Sequence, residues 1–137
     1  NVTAINKALY IKSGKFPFGG PPTNRTMRSM HMATWNQGKP DEEVEAISLD
    51  KLFEQEKIEH VDLFKLDIEG TEIEVLSSEG FAKVASKIDV IVGESHHFTG
   101  RHPNQLNDAL KNNGFNTTKK PISQSSDLFV AKRISIL

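Results

Sequence analysis

The sequence predicts an α/β fold in which a mostly parallel sheet is flanked by helices. Candidate strands and helices alternate from Glu43 onward, and this alternation is typical of βαβ units. Two runs, 61–67 and 88–94, are largely apolar and each ends in a carboxylate, as expected for strands inside such a sheet. The last two candidate strands are separated by a short polar turn, so we expect them to be antiparallel.

The first third of the chain predicts short strands around a long loop. Residues 2–11 mix β-branched and small side chains with some alternation, which predicts a strand. Residues 12–24 contain three glycines and three prolines, which disfavour regular structure. We interpret residues 12–40 as a loop or hairpin insertion. Its parts are an imperfect strand at 26–34 and a polar turn at 36–40, and a short strand follows at 43–47.

The remainder predicts alternating helices and strands. Ser48 is a candidate N-cap, because its hydroxyl can accept a hydrogen bond from a free backbone N–H. Gly114 is a candidate C′ residue of a helix that opens at Pro103 and Asn104. In chain order, we predict a helix containing Leu49, Leu52 and Phe53, a strand at 61–67, helices at 71–78 and 81–86, a strand at 88–94, the helix before Gly114, and strands at 115–119 and 128–133.

Composition favours a single domain and excludes several classes of partner. A chain of 137 residues suits one core. The formal net charge is −1, and no cluster of lysine and arginine suggests a nucleic-acid surface. Cysteine is absent, which excludes disulfides and thiolate metal sites. With neither an apolar run of about 20 residues nor a signal-peptide pattern, we expect a cytoplasmic protein without a membrane partner.

Clustered carboxylates surround the predicted end of the strand at 61–67. In open α/β sheets ligands bind beside the carboxyl ends of the strands, which is where Asp67 falls. Asp67 has two interpretations, an ion pair with Lys65 or a ligand contact, and both remain open. Glu69 and Glu72 lie near the start of a predicted helix, where unpaired N–H groups and the helix dipole favour acidic side chains.

A second group of polar residues follows the strand at 88–94. If this strand is the parallel neighbour of 61–67, Glu94 reaches the same crevice as Asp67. Either Glu94 or His96 could accept a proton from a substrate hydroxyl. These residue types also suit divalent metals, but the spacing of His96, His97 and His102 is not that of a helical zinc motif, so we predict no metal ligands. Phosphate-loop and nucleophile-elbow motifs are absent from the sequence.

Three motifs resemble those of the FkbM-type methyltransferases. They are Ile-Ser-Leu-Asp-Lys-Leu at 47–52, Lys-x-Asp-x-Glu-Gly-x-Glu at 65–72, and Val-Gly-Glu-Ser-His at 92–96. That family comprises S-adenosylmethionine-dependent enzymes with a Rossmann-like fold. The resemblance implies methyl transfer to a hydroxyl oxygen of a sugar or another small metabolite.

The resemblance also implies roles for particular residues. Asn6, Lys7 and Ala8 would lie near the adenine of S-adenosylmethionine. Asp67 would face the reacting centre and contact the cofactor, with Glu94 and His96 as catalytic residues on the acceptor side. The family's glycine loop and ribose-binding carboxylate have no counterpart here, so we expect residues 1–137 to form a partial domain that binds S-adenosylmethionine weakly alone.

Two rival functions and one expectation about assembly remain open. The rivals are a metal-dependent hydrolase that uses Asp67, Glu94 and His96, and a non-catalytic remnant used for binding or assembly. In the sheet of this family, the first two strands would lie in space between the strand at 2–11 and the strand at 61–67. Without those two strands, one edge of the sheet would be open. An open edge favours pairing with a second copy, so we expect a possible homodimer, which light scattering would test.

Overall fold

The computed structural model describes residues 1–20, 42–97 and 104–134, and these residues form two mixed sheets. The smaller sheet has the order β1-β3-β2, with β1 parallel and β2 antiparallel to β3. Its strands are β1 at Ala8–Leu9, β2 at Gly14–Phe18 and β3 at Glu42–Ile47.

Two expectations about this sheet are corrected. The predicted strand at 2–11 is reduced to β1, since only Ala8 and Leu9 pair with β3, whereas residues 1–4 are exposed. The glycine- and proline-containing stretch includes a regular strand, β2. Among the described strands β2 pairs only with β3, and a proline is tolerated where a strand has a neighbour on one side. The predicted strand at 26–34 and turn at 36–40 lie outside the described residues.

The larger sheet has the order β4-β5-β7-β6 and carries most of the core. Strands β4 and β5 are parallel, whereas β7 is antiparallel to both β5 and β6. The antiparallel arrangement of the last two strands is therefore confirmed, but a mostly parallel sheet is not. The strands are β4 at Val61–Leu66, β5 at Ile88–His96, β6 at Phe115–Pro121 and β7 at Ser126–Arg133.

Short helices cover the apolar side of this sheet. They are α1 at Leu49–Gln55, α2 at Glu72–Leu76, α3 at Glu79–Val84 and α4 at Asn104–Asn112, with a 3₁₀ turn at Ala85–Lys87. Phe81 of α3 is fully buried and stacks on Phe115 of β6, with ring centroids 6.1 Å apart. Gly114 follows α4 with φ at +83°, as expected for a C′ glycine.

The helix caps differ in part from those predicted. Ser48 occupies the N-cap position of α1, but its hydroxyl donates to Asp50 Oδ1 at 2.6 Å instead of accepting from the backbone. That hydrogen bond lowers the pKa of Asp50. Ser78 is a true side-chain cap, because its Oγ accepts from the N–H of Phe81 at 3.1 Å. This cap places the start of α3 two residues before the predicted position.

One glycine allows the parallel strands β4 and β5 to approach closely beside the carboxylates. Gly93 lies opposite Leu66 in the β4–β5 register. A Cβ at Gly93 would overlap the carbonyl oxygen of Leu66 and would lie 3.0 Å from Cε1 of Phe129. A larger residue would therefore force the strands apart at the point where both deliver polar residues.

The edge of β4 that faces away from β5 is relevant to the predicted homodimer. Among the described strands β4 pairs only with β5, and Leu63 on β4 is 59% exposed. The homodimer stays a prediction.

Across the described residues we find no helix of the length and apolarity that a bilayer span requires, and the cytoplasmic location likewise stays a prediction.

Candidate active site

The parallel β4–β5 pair brings the two groups of polar residues to one edge of the sheet. Leu66, the last residue of β4, is in register with Gly93. Asp67 directly follows Leu66, and Glu94 and His96 close β5. The two strands are parallel neighbours, which is the condition on which the interpretation of Glu94 depended, and Asp67 lies beside His96.

The loop between β4 and α2 is bent so that its N–H groups point at one carboxylate. Glu69 and Gly70 have φ values of 53° and 105°. A non-glycine residue in the left-handed region costs about 1–3 kcal/mol and persists where the surroundings require it. As a result, the N–H of Ile68 donates to Glu72 Oε1 at 3.0 Å, and the N–H of Gly70 donates to both carboxylate oxygens at 3.1 Å.

Glu72 and His96 form a buried pair that the sequence interpretation did not predict. Glu72 Oε1 lies 2.9 Å from His96 Nδ1, and the two side chains are 1% and 8% exposed. The prediction of N–H stabilisation for Glu72 is right, but its burial and its contact with His96 were missed. A signal was present: Glu72, Val75 and Leu76 share one helical face, and that face is buried.

The second nitrogen of His96 faces a less buried side of the cluster. His96 Nε2 lies 3.6 Å from Glu69 Oε2 and 3.5 Å from Glu94 Oε1. Both of these glutamates are only partly buried. One side of the imidazole is therefore hydrogen-bonded to the buried Glu72, and the other side faces the partly buried carboxylates of Glu69 and Glu94.

Asp67 lies at the edge of this cluster and forms the ion pair that was one of its two interpretations. Its Oδ2 accepts from Lys65 Nζ at 3.2 Å, and its side chain is 37% exposed. Exposed pairs of this kind contribute little to stability, about 0–1 kcal/mol. The ion pair therefore leaves Asp67 accessible to a ligand, and the two interpretations are compatible.

Burial and neighbouring charges have opposite effects on the pKa values of Glu72 and His96. Burial opposes the charged form of His96, but the hydrogen bond and charge of Glu72, with the charges of Glu69 and Glu94, raise the pKa of His96. Burial also opposes the charged form of Glu72, but the hydrogen bond and charge of His96 and the N–H of Gly70 lower the pKa of Glu72. Burial, joined by the nearby carboxylates, raises the pKa of Glu69.

These shifts predict a pH window in which the pair stabilises the fold. The lowered pKa of Glu72 gives stability that is present above its ordinary value of 4.5 and lost as pH falls through the lowered value. The raised pKa of His96 gives stability that is fully present below its ordinary value of 6.5 and lost as pH rises through the raised value.

We therefore expect Glu72→Gln to reduce the free energy of unfolding most between pH 4.5 and 6.5, by about 2 kcal/mol. Urea denaturation at about pH 3, 5.5 and 9 measures this difference across the window. A difference between the two proteins that does not change with pH would show that the pair is not ionised in the fold.

The residues predicted to lie near adenine line a separate cleft. Asn6, Lys7 and Ala8 border a cleft of about 570 Å³ with Ile5, Phe18 and residues 42–45. Lys7 Nζ lies 3.9 Å from Glu45 Oε2. The cleft belongs to the smaller sheet and the His96 cluster to the larger one. His102 lies outside the described residues.

Some of these side chains could also hold a metal ion. Asp67, Glu72 and His96 offer ligand atoms that all lie within 4.8 Å of one another, as do the exposed His60, Asp62 and Asp89. In the first set, however, Glu72 Oε1 and His96 Nδ1 are at hydrogen-bond distance from each other. An ion that used these two atoms would have to replace that bond, so we assign the pair as a hydrogen-bonded dyad.

One comparison with known proteins supports the family that the motifs resemble. An α/β domain with an acidic cluster beside parallel strand ends is the setting that the motifs predict for a methyltransferase. A family model described as "Methyltransferase FkbM domain" matches residues 6–117, which include Asp67, Glu72, Glu94 and His96. The chain therefore belongs to the FkbM methyltransferase family. Searches of curated proteins and of solved structures gave no significant match.

Proposed function

We propose that the natural protein containing this chain transfers a methyl group from S-adenosylmethionine to a hydroxyl oxygen of a sugar or another small metabolite. The observation that carries the proposal is the cluster of Asp67, Glu94 and His96 beside adjacent parallel strands. Ligands of open α/β sheets bind at this edge. Membership of the FkbM methyltransferase family supports the reaction class.

We also propose a Rossmann-like sheet for the whole domain, which residues 1–137 would form only in part. Two observations support it. Strands β4 and β5 are parallel, and antiparallel β7 lies between β5 and β6. The resemblance implies a sheet with strand order 3-2-1-4-5-7-6, and the order β4-β5-β7-β6 corresponds to its strands 4, 5, 7 and 6. The edge of β4 that pairs with no described strand is where the remaining parallel strands would continue.

The described residues suit parts of the methyl donor. The cleft beside Asn6 combines the Phe18 ring and Ile5 with amide and carboxylate groups, as a purine requires, and its volume is typical of small-molecule sites. The carboxylates of Asp67 and Glu69 suit the positively charged sulfonium and amino groups. When bound, S-adenosylmethionine supplies an electrophilic methyl group.

The chain's own contribution would be to position the reactants and to accept a proton. Holding two reactants in line can replace much of the entropy that a bimolecular reaction loses. Asp67 would orient the acceptor or the methionine end of the donor. Either Glu94 or His96 would take the proton of the acceptor hydroxyl.

The natural protein, assayed with S-adenosylmethionine and a panel of sugars and hydroxylated metabolites, tests the proposal. We expect S-adenosylhomocysteine and an O-methylated product in equal amounts. We expect Asp67→Asn to slow this transfer by about a hundredfold without loss of the fold, because the carboxylate would contact a reactant. Asp62→Asn is the matched control, since Asp62 lies on the same strand with a side chain that is 97% exposed.

Two results would count against this proposal. Absence of both S-adenosylmethionine binding and transfer in the natural protein would favour the non-catalytic remnant. A stoichiometric bound metal that is lost in His96→Gln, together with hydrolytic activity, would favour the metal-dependent hydrolase, which the ligand spacing of Asp67, Glu72 and His96 keeps as the second candidate.

A further inference from the structure

We infer that Glu72 is a positioning residue that holds the imidazole of His96 so that His96 Nε2, and not the carboxylate of Glu94, accepts the proton of the acceptor hydroxyl. The inference rests on the proposed methyl transfer and decides between its two candidate bases. It also assigns a role to Glu72, whose place in the motif suggested only helix electrostatics.

The hydrogen bonds around Glu72 determine which nitrogen of His96 carries the proton. An ionised carboxylate can only accept hydrogen bonds. Glu72 already accepts from the N–H groups of Ile68 and Gly70, and its third partner is His96 Nδ1 at 2.9 Å. His96 must therefore donate through Nδ1, so in the neutral imidazole the lone pair is on Nε2.

The position of Glu72 is itself tightly constrained. Its side chain is almost completely buried on the face of α2 that also carries Val75 and Leu76. The left-handed backbone of Glu69 and Gly70 turns two N–H groups onto the carboxylate. A carboxylate that is held in this way fixes the orientation of the ring that it contacts, which is the requirement for a positioned base.

Nε2 faces the less buried side of the cluster. It lies 3.5–3.6 Å from carboxylate oxygens of the partly buried Glu69 and Glu94. A lone pair directed at two carboxylates is electrostatically unfavourable unless a hydrogen lies between them. A hydroxyl that enters this position can supply that hydrogen to Nε2.

The step balances without any further reactant. The acceptor oxygen forms a bond to the methyl carbon while its O–H proton moves to Nε2 of His96. The bond between carbon and sulfur breaks, and its electron pair stays on sulfur. The resulting imidazolium is surrounded by Asp67 at the end of β4, Glu69 in the following loop, Glu72 on α2 and Glu94 on β5. The use of a carboxylate to orient a histidine base follows the logic of catalytic triads.

The test is a double-mutant cycle with pH profiles on the natural protein, using an acceptor from the panel. We expect Glu72→Gln to lower kcat by about a hundredfold or more. We expect the acid limb of kcat/KM to move to lower pH, since removal of the Glu72 charge lowers the pKa of His96 while Asp67, Glu69 and Glu94 remain. The double variant Glu72→Gln/His96→Gln should be no slower than His96→Gln alone, because residues that act as a unit are not additive.

The control is Glu79→Gln, because Glu79 lies on the neighbouring helix α3 and pairs with Lys83. This variant should change neither kcat nor the pH of the acid limb of kcat/KM. Multiplicative losses in the double variant, with an unmoved acid limb, would overturn the inference while leaving the methyl transfer intact. If Glu72→Gln does not fold, Glu72→Asp replaces it. That variant keeps the charge but withdraws it by one methylene, so a lower kcat is expected and an unchanged kcat would overturn the inference. Failure of the natural protein to transfer any methyl group would instead refute the proposed function.

Discussion

Replacement of His96 by glutamine should slow methyl transfer by a factor of about 10² to 10⁴ in the natural protein, with the fold retained. Glutamine is polar and similar in length, but it cannot take up a proton near neutral pH. His96 lies in the acidic cluster at the end of β5, and its Nδ1 is held by Glu72. Loss of the base should reduce kcat much more than it weakens the binding of either substrate.

The neighbouring histidine provides the matched control. His97 is the next residue and contacts Asp127, with 3.4 Å between Nε2 and Oδ2. It has no described contact with Glu72, so His97→Gln should retain activity close to that of the natural protein. Initial rates and thermal denaturation of both variants decide the matter. Equal rates in His96→Gln and in the natural protein would remove His96 from the reaction.

Gly93→Ala should lower the free energy of unfolding by about 3 kcal/mol, at the upper end of overpacking effects. A Cβ at this position would overlap the carbonyl of Leu66 and would lie against the ring of Phe129. Since Leu66 and Phe129 both belong to packed strands, neither can move away easily. The separation of β4 and β5 would also displace Glu94 and His96 from Asp67. We therefore expect any folded fraction of this variant to be impaired in methyl transfer as well.

Gly80→Ala is the control for that substitution, because its new Cβ also has a close neighbour. The nearest atom is Asp50 Oδ1 at 2.9 Å, the end of a side chain that can rotate away. Alanine within α3 also gains roughly 0.5–1 kcal/mol of helix propensity over glycine. Urea denaturation of the two variants should show a large loss for Gly93→Ala and little or none for Gly80→Ala. Similar losses in both would contradict the close approach of the strands.

The positions of the central strands could be predicted because their signals are local. The runs at 61–67 and 88–94 are apolar, bounded by polar residues and end in carboxylates, and they correspond to β4 and β5. Gly114 similarly marks the end of a helix through its own backbone conformation. The closeness of Asp67 to the end of β5 then follows from parallel pairing of the two strands.

The features that the sequence did not predict depend on contacts between distant segments. The role of Glu72 requires His96, which is 24 positions away, to meet it across a buried interface. Strand β2 includes Pro17 and, among the described strands, pairs only with β3, a pairing that composition cannot convey. Likewise, the mixed sheet arises because β7 enters between β5 and β6.

Transfer of a ¹³C-labelled methyl group from S-adenosylmethionine by the natural protein and by His96→Gln, compared side by side, tests the central claim most directly. NMR of the products reports where the label goes. We expect an O-methyl signal that grows in step with S-adenosylhomocysteine for the natural protein and is nearly absent for His96→Gln. Label that never leaves the donor in the natural protein, or that reaches the acceptor oxygen equally fast in both proteins, would contradict the claim that this histidine–carboxylate cluster catalyses methyl transfer.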